Sequence, residues 1–216
     1  MSKDGEEPGG NISEEPSSPQ QTNLLDSIFR EDGPMPPAKI RLRFFAGALD
    51  IFLLTAVSLF IIWKIAIPRS HPGAFEELVE LSQEMDLSEF IEQWVLANSP
   101  ETNLSENLQQ AATYAFELQL IIFWLYFAFG EAFFSGGTLG KRLLRIRTVS
   151  TVTLDKPPVF IGIVRGGTKT FLIFFPLAAL LNLFALFFNK RKQMGHDLLS
   201  KTAVIDEKFV NLAPKS

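Results

Sequence analysis

The chain contains no cysteine and only two histidines, His71 and His196. Disulfides and thiolate metal sites are therefore excluded, and a histidine-rich metal centre is not expected. Lysine and arginine are missing from residues 70–113, a stretch that instead carries Glu76, Glu77, Glu80, Glu84, Asp86, Glu89, Glu92, Glu101 and Glu106. The chain does not open on a basic stretch leading into an apolar run, so no cleavable signal peptide is expected. Charge is sparse in three long apolar regions, residues 44–67, 114–134 and 159–188, and most of the 21 phenylalanines fall there. Such runs are long enough to cross a bilayer.

The few charges inside these regions are informative. Asp50 is the only ionisable side chain between Phe44 and Trp63, and Arg43 stands at the edge of that run. The surrounding apolar side chains each favour insertion by about 0.3–0.6 kcal/mol, against roughly 3 kcal/mol for a central Asp, so the span still inserts. Asp50 must then face a helix bundle, because lipid offers it no partner. Arg43 lies two helical turns away on the same face, about 10 Å along the axis. The expected partner of Asp50 is Arg165 or Lys169 from the third region, and Asp197 is expected to meet Arg43 at the cytoplasmic boundary. Glu117 and Glu131 fall near opposite ends of the second region, on a similar helix face. They read as boundary residues reaching headgroups or water. The alternative is a carboxylate path with Asp50. Two readings of the whole set stay open: charge pairs that fix helix register, or an ion or proton relay.

Charge also orients the chain. Residues 1–37 are acidic and rich in Pro, Ser, Gly and Gln, a composition too poor in apolar surface to order itself. One patch, Leu24, Leu25, Ile28 and Phe29, has helical spacing, and a short transient helix is expected there. Lys39, Arg41 and Arg43 precede the first span, and Lys141, Arg142, Arg145, Arg147 and Lys156 follow the second. Positive loops stay cytoplasmic. The N-terminus is therefore expected inside and residues 70–113 outside. This acidic segment carries apolar residues at helical spacing: Phe75, Leu78, Val79 and Met85, then Leu87, Phe90, Ile91, Trp94 and Val95. Asp86 with Glu89 suggests a second helix start, Asn98-Ser-Pro100 a break, and Asn103 with Glu106 the start of the helix entering the second span. A helical cap on the outer surface is expected, with a partner-docking module as the alternative. Asn103-Leu-Ser105 matches a glycosylation sequon by pattern only.

The third region is longer than one span and is interrupted by Pro176. One crossing would put Lys190, Arg191 and Lys192 outside, against the positive-inside trend. A helical hairpin bending near Pro176 would return them. Residues 145–149 and 202–205 are both β-prone. If they pair, both lie on one side, which favours the hairpin over a third span.

Arg43-Phe-Phe-Ala46 followed by Asp50, the loop Gly136-Gly-Thr138-Leu-Gly140-Lys141-Arg142, and His196-Asp197 followed by Thr202-Ala-Val204 together resemble the RDD family of membrane proteins. The match covers roughly residues 40–205, and the three residues that name the family would be Arg43, Asp50 and Asp197. The long acidic outer segment and residues 150–159 depart from the family pattern. The resemblance implies a small helical membrane domain and points to transport. The Gly136 loop is also similar to a phosphate loop, but Ser135 stands where the first Gly belongs and Arg142 replaces the hydroxyl residue, so nucleotide hydrolysis is not expected. A tight turn placing Lys141 and Arg142 against anionic headgroups is expected instead, with Gly136 and Gly137 turning the backbone and Thr138 capping the next segment. His196 beside Asp197 lacks the nucleophile elbow of a hydrolase.

The expected fold is an all-α membrane protein with two transmembrane helices plus a C-terminal hairpin or third span. It comprises a disordered acidic cytoplasmic tail (1–37), a membrane domain (38–206, with 70–113 as an outer insertion) and a short C-terminal tail (207–216). The expected function is transport of an ion or small solute coupled to protons or sodium, without catalysis, cofactor or metal. The alternative is an accessory or scaffold protein of a membrane complex. The expected surroundings are the lipid bilayer of a bacterial inner membrane and a membrane-protein partner or second copy, not nucleic acid.

Overall fold

The computed structural model describes residues 19–84, 86, 88–89, 104–134, 136–189 and 191–210. Among the described residues, two helices are long and apolar enough to cross a membrane. The first starts as α2 (Ile40–Ile61), after an upstream helix α1 (Pro19–Ile28). It continues through a π turn (Ile62–Ala66) into α3 (Ile67–Ser70), giving 31 residues in all. The π turn has a local cause. Pro68 has no N–H to return to Lys64, and its ring would collide with that carbonyl, so the helix widens just before it. The second span is α5 (Glu106–Phe133), 28 residues. Its N-cap is Ser105, whose hydroxyl accepts from Leu108 N at 3.1 Å. This corrects the expected start at Asn103, a residue outside those described.

The acidic segment packs only in part. α4 (Ala74–Glu84) turns its Leu78 and Leu81 toward a cluster of Ile62, Ile67, Ala74, Leu104, Leu108 and Ala111, closing one end of the two spans. Val79, expected on that face, is exposed. Asp86 accepts from Ser88 N at 2.8 Å and Glu89 N at 2.9 Å, the helix start expected there. The expected second helix over residues 87–95, the break at Asn98-Ser-Pro100 and the sequon at Asn103 lie outside the described residues.

The third apolar region is a bent pair, α7 (Val159–Phe174) and α8 (Pro176–Phe184), with 118° between their axes. Pro176 sets the bend: Phe175 before it adopts an extended ψ of 86°, and Pro176 begins the next helix. The chain returns to where it left. The strand before the pair, β1 (Ile146–Ser150), joins the strand after it, β2 (Thr202–Asp206), as an antiparallel ribbon from Ile146↔Asp206 to Ser150↔Thr202. The β-prone stretches thus pair, and the hairpin follows from their pairing. Two short helices, α6 (Leu139–Leu143) and α9 (Gly195–Leu199), flank the ribbon.

α7 packs along α5 through two glycines four residues apart. A Cβ on Gly162 would collide with the Ala132 backbone, and one on Gly166 with the Ala128 backbone. The small pair Gly162/Gly166 faces the small pair Ala128/Ala132, which lets the helix backbones touch.

The folded part reaches further upstream than expected. Residues 24–37 are not free of the domain. Ala38 N donates to Val204 O at 2.9 Å and Asp206 N to Pro36 O at 3.0 Å, so this stretch borders β2. Phe29 is buried with Val149, Ala203 and Ile205, and Leu25 and Ile28 pack against the same cluster. Asp26 pairs with Arg191 at 2.6 Å and Glu31 with Lys192. The apolar patch is therefore a docked helix end rather than a transient one, because the ribbon gives its apolar face something to bury against. Residues 1–18 and 211–216 lie outside the described residues.

Candidate functional site

Asp50 faces inward from α2 and is 2 % exposed. It accepts three hydrogen bonds: from the Tyr126 hydroxyl at 2.5 Å, from the Thr138 hydroxyl, and from Gly140 N at 2.7 Å. Gly140 makes this arrangement reachable. A Cβ there would collide with the carbonyl of Ala46, so only glycine lets α6 lie against α2 one turn before Asp50. Thr138 precedes α6 without capping it. Its hydroxyl serves Asp50 instead, which corrects the expected capping role.

A second carboxylate, Asp197, is fully buried at the start of α9. It pairs with Arg43 and, at 2.7 Å, with Arg165. It also accepts from Met194 N at 3.0 Å, which caps its own helix. Arg43 extends further, donating to Lys192 O at 2.5 Å. Burial alone would raise the Asp197 carboxyl, yet Arg43, with Arg165 and the Met194 N–H beside it, holds it well below the usual range. The buried His196 is pushed down to about 3, mainly by desolvation and further by Arg165, Lys169 and Arg43, against the opposing pull of Asp197. It is therefore neutral. Asn182 of α8 fixes it, with Oδ1 2.9 Å from both His196 N and Nδ1.

The third carboxylate, Glu131, is fully buried near the end of α5. Lys141 meets it at 2.5 Å, Lys169 pairs with it, and Arg165 Nε stands 3.5 Å from its Oε2. Lys141 also donates to Thr148 at 2.7 Å, tying the site to the ribbon. Burial pushes the Lys141 ammonium well below its ordinary value. Glu131 opposes that shift, and Lys169 and Arg165 reinforce it. The turn that delivers Lys141 depends on Gly136, whose φ of 74° favours glycine.

Arg43, Asp50, Lys141, Arg165, Lys169 and His196 are among the residues that line a cleft of about 860 Å³ between α2 and the hairpin. Its walls are apolar, from Phe44, Ile51 and Phe52 on one side to Leu172, Ile173 and Leu183 on the other. A second hollow of about 500 Å³ lies between α2 and α5, and Ile51, Thr55 and Ile173 line both.

The structure brings together Arg43, Asp50, Glu131, Lys141, Arg165, Lys169 and Asp197, and it pairs Arg43 with Asp197 as expected. It does not pair Asp50 with Arg165 or Lys169. Those cations go to Asp197 and Glu131, because Gly162 and Gly166 dock α7 on α5 while α6 supplies Asp50 with neutral donors. Glu131 is not a boundary residue in contact with water. Glu117 is exposed and apart from the cluster, so no carboxylate path forms among the described residues. Lys141 is buried rather than facing headgroups, whereas Arg142 is exposed and sits 4.8 Å over the Phe134 ring. Tyr126, Asn182 and Thr148 were missed. Tyr126 and Asn182 could have been flagged as rare polar groups in phenylalanine-rich apolar runs.

No curated protein and no solved structure matches the chain. The model of the RDD family matches residues 37–201. The matched stretch contains both spans and every charged residue of the cluster, and the protein is a membrane protein belonging to the RDD family.

Proposed function

We propose that this protein is a non-catalytic carrier that moves an ion or small solute across the membrane, coupled to protons or sodium, with the cleft beside Asp50 as its site. The observation that carries the reading is the company Asp50 keeps. It lines the cleft, and its hydrogen-bond partners are neutral: a phenol, an alcohol and an amide. Among the described residues it has no salt bridge, whereas Glu131 and Asp197 each have several. A carboxylate without a fixed counterion is the one whose charge a proton or sodium ion can compensate in turn. The second hollow supports the reading, since a shared lining at Ile51, Thr55 and Ile173 is where access could switch from one side to the other.

In this reading the ribbon end faces the cytoplasm of a bacterial cell and α4 lies outside. The support is Lys39, Arg41, Arg142, Arg145 and Lys156 around the ribbon end against Glu76, Glu77, Glu80 and Glu84 on α4. Single cysteines at Ser82 and Lys156, in a chain that has none of its own, should react with an impermeant thiol reagent from outside only at position 82. The reverse pattern refutes the orientation.

The flux test uses pure protein in sealed vesicles. A sodium or potassium gradient should drive proton movement, and Asp50→Asn should abolish it while the variant stays folded. Well-inserted protein without cation-coupled proton flux refutes the carrier and leaves the accessory role, in which partner binding would survive neutralisation of Asp50.

A further inference from the structure

We infer that the cleft takes an amphiphile with an anionic head, the head seated against Arg165 and Lys169 and the apolar chain lying between α2 and the hairpin. The inference rests on the reading of the cleft as the substrate site and names the class of its solute.

The walls make the first point. Phe44, Ile51, Phe52, Leu172, Ile173 and Leu183 offer no ligand to a hydrated inorganic ion, and they suit a hydrocarbon chain. The cleft's volume of about 860 Å³ holds more than a headgroup.

The charge of the floor makes the second. Four cations, Arg43, Lys141, Arg165 and Lys169, stand against the two carboxylates that pair with them, Glu131 and Asp197. Counting Asp50 as well, cations still outnumber carboxylates by four to three. With Lys141 kept protonated by its contact with Glu131, an incoming anion meets a surplus of one positive charge in a place where water is scarce. The downward pressure on the Lys141 proton has the same origin in part, since Lys169 and Arg165 crowd it.

The third point is a donor edge whose hydrogen bonds are unmade. Arg165 is 1 % exposed, yet its Nε and Nη2 have no hydrogen-bond partner. Nε stands 3.5 Å from Glu131 Oε2, within ion-pair range but without a hydrogen bond. These two nitrogens form one edge of the guanidinium, the edge that grips a carboxylate or phosphate with two parallel bonds. Arg165 lines the cleft. A buried donor left unmade is costly; Nε faces Glu131, and Nη2 is the donor that an anionic head would satisfy. Basic pockets between membrane helices take anionic headgroups for the same reason.

The test uses the full chain in an uncharged detergent and three probes: lysophosphatidate, lysophosphatidylcholine with the same chain, and glycerol phosphate, which is the head without the chain. Lysophosphatidate should bind saturably, at least about tenfold tighter than lysophosphatidylcholine, the difference one charge-assisted pairing gives, and glycerol phosphate should not compete. Lys169→Gln should weaken lysophosphatidate about tenfold and leave lysophosphatidylcholine unchanged. Gly47→Trp, at a cleft position where an added Cβ meets nothing within 4 Å, should weaken both by filling the chain site. Equal binding of the two lysolipids overturns the anionic head, and competition by glycerol phosphate at equal concentration overturns the chain and points to a free phosphate site. If Lys169→Gln fails to fold, the three-probe comparison on the unmutated protein still decides. The two readings fail separately. Lysophosphatidate binding without cation-coupled flux removes the carrier and keeps the ligand. Flux with no selective lysophosphatidate binding keeps the carrier and removes the ligand.

Discussion

Replacing Asp50 separates the two ways in which a buried carboxylate can be held. If Asp50 neutralised a cation, Asp50→Asn would leave that cation uncompensated and cost about 3–5 kcal/mol. The structure predicts a loss at the low end of that range, uncoupled to any cation. Tyr126 and Gly140 both donate to Oδ1, and Thr138 donates to Oδ2. An Asn can keep its oxygen toward Tyr126 and Gly140 and turn its amide toward Thr138, whose hydroxyl rotates to accept. What is lost is the charge assistance. Hydrogen bonds to a charged group contribute roughly 1.5–3 kcal/mol against 0.5–1.5 kcal/mol for neutral ones, so three bonds that all become neutral lose about 3 kcal/mol together. Asp50→Ala is different in kind. It strands all three donors and opens a small void, a loss on the order of 4–5 kcal/mol. Denaturant or thermal unfolding in mild detergent would measure both. A double-mutant cycle with Lys169→Gln sharpens the comparison, because independent sites add within about 0.5 kcal/mol. A coupling above that, with Asp50→Asn rescued by loss of Lys169, would refute the neutral-donor arrangement. So would equal losses for Asn and Ala.

Other consequences can be checked in the same way. Gly166→Ala should push α7 off α5, since its Cβ would collide with the Ala128 backbone, and cost about 1–3 kcal/mol in thermal unfolding. Gly167→Ala, whose Cβ would sit 3.4 Å from Trp124 Nε1, should be neutral or stabilising by up to about 1 kcal/mol from helix propensity. His196 gives a pH signature. Its folded value near 3 lies below the ordinary 6.5, so the unfolded chain binds the extra proton. Stability from this group is fully present above pH 6.5 and falls as pH drops toward 3, by about 1.4 kcal/mol per pH unit. Between pH 6 and 5, before ordinary carboxylates titrate, His196→Gln should flatten that slope, and an unchanged slope refutes the assignment.

What could be read from the sequence, and what could not, divides along a physical line. Spans, hairpin and ribbon rest on local patterns: apolar runs, a proline within one of them, and two β-prone stretches that must share a side. Such patterns survive translation into structure because each is set by a few neighbouring residues. Pairing of buried charges is different. Opposite charges at suitable depths say that partners exist, but not which helix stands beside which. Here that choice was made by residues with no charge at all. Gly162 and Gly166 draw α7 onto α5, and so hand Lys169 and Arg165 to Glu131. Gly140 draws α6 onto α2, and so brings its own N–H and the Thr138 hydroxyl to Asp50. The glycines at positions 162 and 166 were legible as a small-residue pair in an apolar helix. Their weight lies in what they exclude: with α7 committed to α5, the space beside α2 stays open as the cleft, and Asp50 borders that space with its charge unclaimed. The same close contact that corrects the expected ion pair thus creates the site on which the carrier reading depends.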